Sequence, residues 1–66
     1  MKVAIIGLGL IGGSIARRLR GFHNCTISAY NRTSETVLLA KQDGAIDEGS
    51  SDVGEVMDNA DLIILC

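Results

Sequence analysis

Aromatic side chains are nearly missing from this sequence, which has one Phe, one Tyr and no Trp. The large groups that dominate small cores are therefore scarce. A chain of 66 residues is also in the size range that buries only about 60% of its unfolded surface. Cysteine is scarce too. Cys25 and Cys66 cannot build the disulfide-dense scaffold of a small secreted protein, and both are expected as free thiols. There is no surplus of positive charge: Lys and Arg number 6 against 8 Asp and Glu. That balance argues against electrostatic nucleic-acid binding. No apolar run approaches the roughly 18 residues of a membrane helix. Only Lys2 precedes the first apolar run, so no cleavable signal peptide is expected. No His/Cys grouping has metal-ligand spacing, and no metal site is expected. With 47% hydrophobic residues and a net charge of −2, the chain is not composed like a disordered one. These exclusions leave a folded, soluble, cytoplasmic protein with no nucleic-acid or membrane partner.

What is present alternates. Val3-Ala4-Ile5-Ile6 fits a strand buried on both faces. Ile11, Ile15 and Leu19, with Ala16, form one helical stripe. Arg17, Arg18 and Arg20 fill its solvated side, and Gly21 is the expected helix stop. Thr26 to Tyr30 predicts a second strand that Cys25 introduces. Ser34 is the expected N-cap of a second helix carrying Val37, Leu38, Leu39 and Ala40 and ended by Gly44. Ala45-Ile46-Asp47 predicts a short third strand, and Ser51 is the expected cap of a short helix with Val53, Val56 and Met57. Asp52, Glu55 and Asp58 decorate its exposed side. Leu62 to Leu65 reads as a fourth strand, buried on both faces. Nothing follows Cys66, so the chain is expected to be the N-terminal piece of a longer protein.

The order β-α-β-α-β-α-β over residues 1–66 requires parallel strands with right-handed crossovers. It predicts an α/β fold, the first half of a doubly wound parallel sheet in strand order 3-2-1-4, truncated after its fourth strand.

Gly7-Leu8-Gly9-Leu10-Ile11-Gly12 is a G-x-G-x-x-G sequence between a predicted strand and a predicted helix. In that context it is a dinucleotide fingerprint of the Rossmann type. Gly7 permits the tight turn, Gly9 lets a diphosphate approach the backbone, and Gly12 lets the helix pack closely. The amides near Leu10 and Ile11 sit at the positive helix end that would hold the diphosphate. Ser14 can add a hydroxyl.

Selection among dinucleotides belongs to the end of the second strand, where NAD sites place Asp or Glu for the ribose hydroxyls. Here the position is Asn31, 19 residues after Gly12, with no acid before Glu35. An acid would repel a 2′-phosphate, whereas Asn31 can donate to one. Arg32, Thr33 and Ser34 add a cation and two hydroxyls. The expectation is NADP rather than NAD. Cys66, at the carboxyl end of the fourth strand, is expected to approach the same ligand.

Gly7-Leu8-Gly9-Leu10-Ile11-Gly12-Gly13-Ser14 resembles the opening of the prephenate dehydrogenase family, which includes arogenate dehydrogenases. Gly44 to Gly49 and Ala60 to Leu65 are similar to the same family. The resemblance covers the whole chain but only the cofactor half of the family's first domain. It implies oxidative decarboxylation of prephenate to 4-hydroxyphenylpyruvate with reduction of NAD(P), a step of tyrosine biosynthesis. It also implies a helical substrate domain and a homodimer formed through it. Family members commonly have Asp where this chain has Asn31. The family's substrate histidine and arginine-rich domain match no position here. His23 falls in the turn before the second strand, away from the strand carboxyl ends, and is expected to be a surface residue. No catalytic residue is expected within these 66, and the chain alone is expected to be inactive. Two alternatives share the half-fold: another small-acid or imine reductase, such as a 3-hydroxyacid dehydrogenase or pyrroline carboxylate reductase, and a dinucleotide-sensing regulatory domain. Gly13-Ser14 argues against the first. The second generally keeps an acid at the position of Asn31.

Overall fold

Seven elements alternate along the chain: β1 (Lys2–Ile6), α1 (Leu10–Leu19), β2 (Thr26–Tyr30), α2 (Ser34–Gln42), β3 (Glu48–Ser50), α3 (Val53–Met57) and β4 (Leu62–Leu65). The computed structural model describes residues 1–22 and 24–66, with the side chains of Leu10 and Ile11 outside the described set. The expectation for His23 lies outside the described residues. The strands form one parallel sheet in the order β3-β2-β1-β4, as the alternation predicts. No helix among the described residues is long and apolar enough to cross a membrane.

Register assigns the two faces. Val3 lies opposite Ile27, and Ile5 opposite Ala29 and Ile64, so these side chains share a face. That face is bulky and closed: Val3, Ile5, Ile27 and Ala29 are fully buried with Leu8, Ala16 and Ile46. Ile15 and Leu19 of α1 and Val37 and Ala40 of α2 pack over it. The opposite face carries the small residues Ala4 and Ser28, both buried. The short helix α3 lies against this face with Val56 buried. Small side chains there let a helix of few residues approach closely.

The third strand forms later than its apolar residues suggest. Ala45 and Ile46 are buried because they fill the core beneath the sheet, and the ladder begins only at Glu48. Asp47 makes the transition. Its N–H donates to the Ile27 carbonyl at 2.9 Å, and its carboxylate accepts the Ile27 N–H at 2.8 Å. One residue therefore satisfies both backbone groups of Ile27. The other carboxylate oxygen pairs with Arg20, so Arg20 is a partner rather than a purely solvated residue. Arg17 reaches Asp43 across exposed surface at 3.6 Å, a contact of small energetic weight.

Helix ends also differ from expectation. Thr33, not Ser34, is the N-cap of α2. The chain leaves β2 extended through Thr33, whose carbonyl accepts the first helical N–H bonds, from Thr36 and Val37. Asp52, not Ser51, caps α3, because its short carboxylate reaches the Gly54 N–H at 3.0 Å. Gly44 stops α2 as expected. It sits at φ +77 while its N–H donates to Lys41 and that of Ala45 to Ala40, the Schellman arrangement. Gly21 follows α1 without adopting the left-handed region, which falls instead to Asn24 at φ 61. β4 is the edge strand that the order 3-2-1-4 places beside β1, and Leu62, Ile63 and Leu65 are exposed on it.

Gly49 and Gly54 are separated by packing. A Cβ on Gly49 would stand 2.1 Å from Val37 Cγ1, and one on Gly54 meets only the Asp52 carboxylate at 3.4 Å. Gly49→Ala is expected to cost about 1–3 kcal/mol through overpacking of α2 on β3. Gly54→Ala, inside a helix, is expected to be neutral or stabilising by up to about 1 kcal/mol. Chemical denaturation of the two variants checks the contrast.

Candidate functional site

The chain leaves β1 through a turn that only a residue without a side chain can make. Gly7 sits at φ +106, and its N–H donates to the Tyr30 carbonyl at 2.7 Å, extending the β1–β2 ladder by one bond. A Cβ there would stand 2.7 Å from the Cys66 carbonyl oxygen. Gly12 is packed tighter. A Cβ on it would lie 2.1 Å from the Gly7 carbonyl oxygen, so α1 is pressed onto the turn backbone to backbone. Gly9 differs from both. It is the N-cap of α1 at φ −70, and a Cβ on it would meet nothing within 4 Å.

Together these glycines produce a helix start that borders open space. The Gly9 carbonyl accepts the first helical bond, from Gly13 N–H at 2.9 Å. The N–H groups ahead of Gly13, those of Leu10, Ile11 and Gly12, therefore have no intrahelical acceptor. The first turn of α1 contains no acid, so no carboxylate of that turn neutralises the positive helix end.

The open space is a cleft of about 620 Å³ at the carboxyl ends of the central strands, a size suited to a small-molecule ligand. Ile6, Tyr30 and Cys66 line it at the ends of β1, β2 and β4. Gly7, Gly9 and Gly12 form its floor, with Asn31 and Arg32 beyond β2. Both cysteines are free, and the exposed one is Cys66. Among the described residues no group of acids, cysteines or histidines is placed to hold a metal ion.

Asn31 is anchored. Its Oδ1 accepts the Leu8 N–H at 2.9 Å in a partly buried contact. A backbone N–H can only donate, so the carbonyl end of the amide must face it. The Nδ2 hydrogens are left for another acceptor. Arg32 is exposed and takes part in neither ion pair found among the described residues.

Not every expected residue gathers here. Thr33 and Ser34 are exposed at the start of α2. Ser34 lines a neighbouring groove shared with Asn31, Glu35 and Lys41. Ser14, on α1, lines a groove between α1 and α2 that also borders Gly9, Arg17 and Leu39. Tyr30 and Ile6 were not anticipated. Their signal in the sequence was positional, since each is the last residue of a strand that ends at the cleft.

Residues 2–66 match the family described as the NAD binding domain of 6-phosphogluconate dehydrogenase. The chain belongs to this family of NAD-binding domains. It is 35% identical over 65 residues to a cyclohexadienyl dehydrogenase of Zymomonas mobilis, covering 97% of this chain and 22% of that protein. Prephenate dehydrogenase from A. aeolicus, solved with hydroxyphenyl propionate and NAD+, is 34% identical. It superposes with a TM-score of 0.89 over 98% of this chain and 23% of its own. Synechocystis arogenate dehydrogenase is 33% identical, with a TM-score of 0.92 over 100% of this chain and 23% of its own. These relatives are all dehydrogenases, and the chain spans less than a quarter of their length. The family resemblance read from the glycine turn and the strand order 3-2-1-4 therefore agree with the comparisons.

Gly12→Ala is expected to lower stability by about 1–3 kcal/mol or more, because a backbone carbonyl rather than a flexible side chain blocks the new methyl. A denaturation midpoint as high as that of the unsubstituted chain would contradict the contact.

Proposed function

We propose that this chain is the cofactor-binding part of a prephenate or arogenate dehydrogenase, and that its cleft takes a nicotinamide dinucleotide with NADP preferred to NAD. The observation that carries the reading is the division of labour among the glycines. Gly7 and Gly12 close the turn onto the helix, while Gly9 leaves open space at a helix start without an acid. A diphosphate fits such a place, because N–H groups and the helix dipole both favour negative charge. The dinucleotide, when bound, supplies the hydride acceptor. The residues of this chain bind and orient it: Gly7, Gly9 and Gly12 with the amides of Leu10 and Ile11 at the diphosphate, Cys66 from the end of β4, and Asn31 and Arg32 at the adenosine end. Thr33 and Ser34 supply hydroxyls at the edge of that end.

The NADP preference rests on Asn31. Its acceptor oxygen is engaged by Leu8, so the side chain presents donors outward, which suit a 2′-phosphate. Arg32 adds an adjacent cation. NAD use is the second reading, favoured by the A. aeolicus relative having been solved with NAD+. In this reading the substrate groups lie outside residues 1–66, where they form a helical domain through which the protein dimerises, and residues 1–66 alone bind cofactor without turnover.

Two measurements test the reading. A charge-assisted hydrogen bond contributes roughly 1.5–3 kcal/mol. Titration of NADP and NAD should therefore show a preference for NADP of ~10–100-fold, reversed or abolished by Asn31→Asp. Equal or tighter binding of NAD to the unsubstituted chain would overturn the assignment. Gly9→Ala should cost no more than about 1 kcal/mol of stability as an N-cap change, yet weaken either dinucleotide by at least ~10-fold.

A further inference from the structure

We infer that Asn31 is also a positioning residue for the diphosphate end of the cleft, so that one side chain couples the two ends of the site. This rests on the dinucleotide reading above. The amide of Asn31 spans the gap between the end of β2 and the glycine turn. Its Oδ1 accepts the N–H of Leu8, the residue between the first two glycines of the turn, at 2.9 Å.

The turn has few other constraints on this side. Gly7 is held by its own N–H bond to Tyr30, and Gly12 by contact with the Gly7 carbonyl. Gly9, which borders the open space, has no Cβ neighbour within 4 Å. Between Gly7 and Gly9 the tie to the neighbouring strand end is the bond from Leu8 to Asn31. The Leu8 side chain is buried, so its backbone can shift only with the core or by breaking that bond. Where Leu8 is held, Gly9 and the helix start are held. A side chain that faces the adenosine end with Nδ2 therefore sets the backbone against which a diphosphate rests.

The same geometry separates two properties that one substitution would otherwise confuse. Asn31→Asp keeps an acceptor for Leu8 but adds a charge. Asn31→Ala removes the acceptor and adds none. The first changes ligand preference with the turn in place, and the second loosens the turn.

The test uses the full chain and both variants. Amide hydrogen exchange at Leu8 is read by NMR, and affinity for inorganic pyrophosphate, which has no adenosine to touch Asn31, is read by calorimetry. One lost hydrogen bond is worth a factor of roughly 5–10. In Asn31→Ala, exchange at Leu8 should rise by about that factor while the β1 and β2 amides stay protected. Pyrophosphate affinity should fall by a similar factor. Asn31→Asp should keep Leu8 protected. Unchanged exchange at Leu8 in the alanine variant, or unchanged pyrophosphate affinity, overturns the positioning role. A uniform loss of protection throughout the sheet also overturns it, since that marks a general structural role. Failure of the unsubstituted chain to bind either dinucleotide would instead count against the proposed function, and the Leu8 exchange result stands apart from it.

Discussion

The site is organised around a contact between two stretches of backbone. The first turn of α1 lies so close to the turn out of β1 that a methyl group on Gly12 would overlap the carbonyl of Gly7. Interiors are packed to crystal-like density, so this approach sets where the helix starts relative to the strand ends. Everything at the cleft follows from it. The helix N–H groups border the opening, Gly9 is left facing space, and Cys66 at the end of β4 closes against the same turn.

The sheet beneath is asymmetric. One face is filled by Val3, Ile5 and Ile27 under two helices, and the other carries Ala4 and Ser28 under the short helix α3. Aliphatic residues on two central strands thus supply the core that the near absence of aromatics seemed to deny. The edges are less complete. β3 is a strand of Glu, Gly and Ser, and its packing depends on Gly49 giving way to Val37. β4 presents Leu62, Ile63 and Leu65 to solvent.

At the end of β2 the proposed selection depends on a single amide. Asn31 has two chemically distinct ends, and only one can face a backbone N–H. The bond to Leu8 therefore orients the donors of the other end. An Asp at the same position would satisfy Leu8 equally well but turn an acceptor and a negative charge outward. That difference is the physical content of the proposed cofactor preference.

The alternation of apolar segments with helical stripes determined the parallel sheet and its strand order by itself, because right-handed crossovers leave few topologies for that pattern. Glycine spacing likewise determined the turn, since the demands at Gly7 and Gly12 are local. Other features required neighbours distant in sequence. Ala45 and Ile46 look like a strand, but their burial comes from core contacts, while Asp47 occupies the backbone groups of Ile27. Thr33 and Asp52 displaced Ser34 and Ser51 as caps because the exits of β2 and β3 decide which residue is last extended. The bond from Leu8 to Asn31 joins residues 23 apart. No local pattern encodes it: only the pairing of β1 with β2 brings the two strand ends within a hydrogen bond of each other.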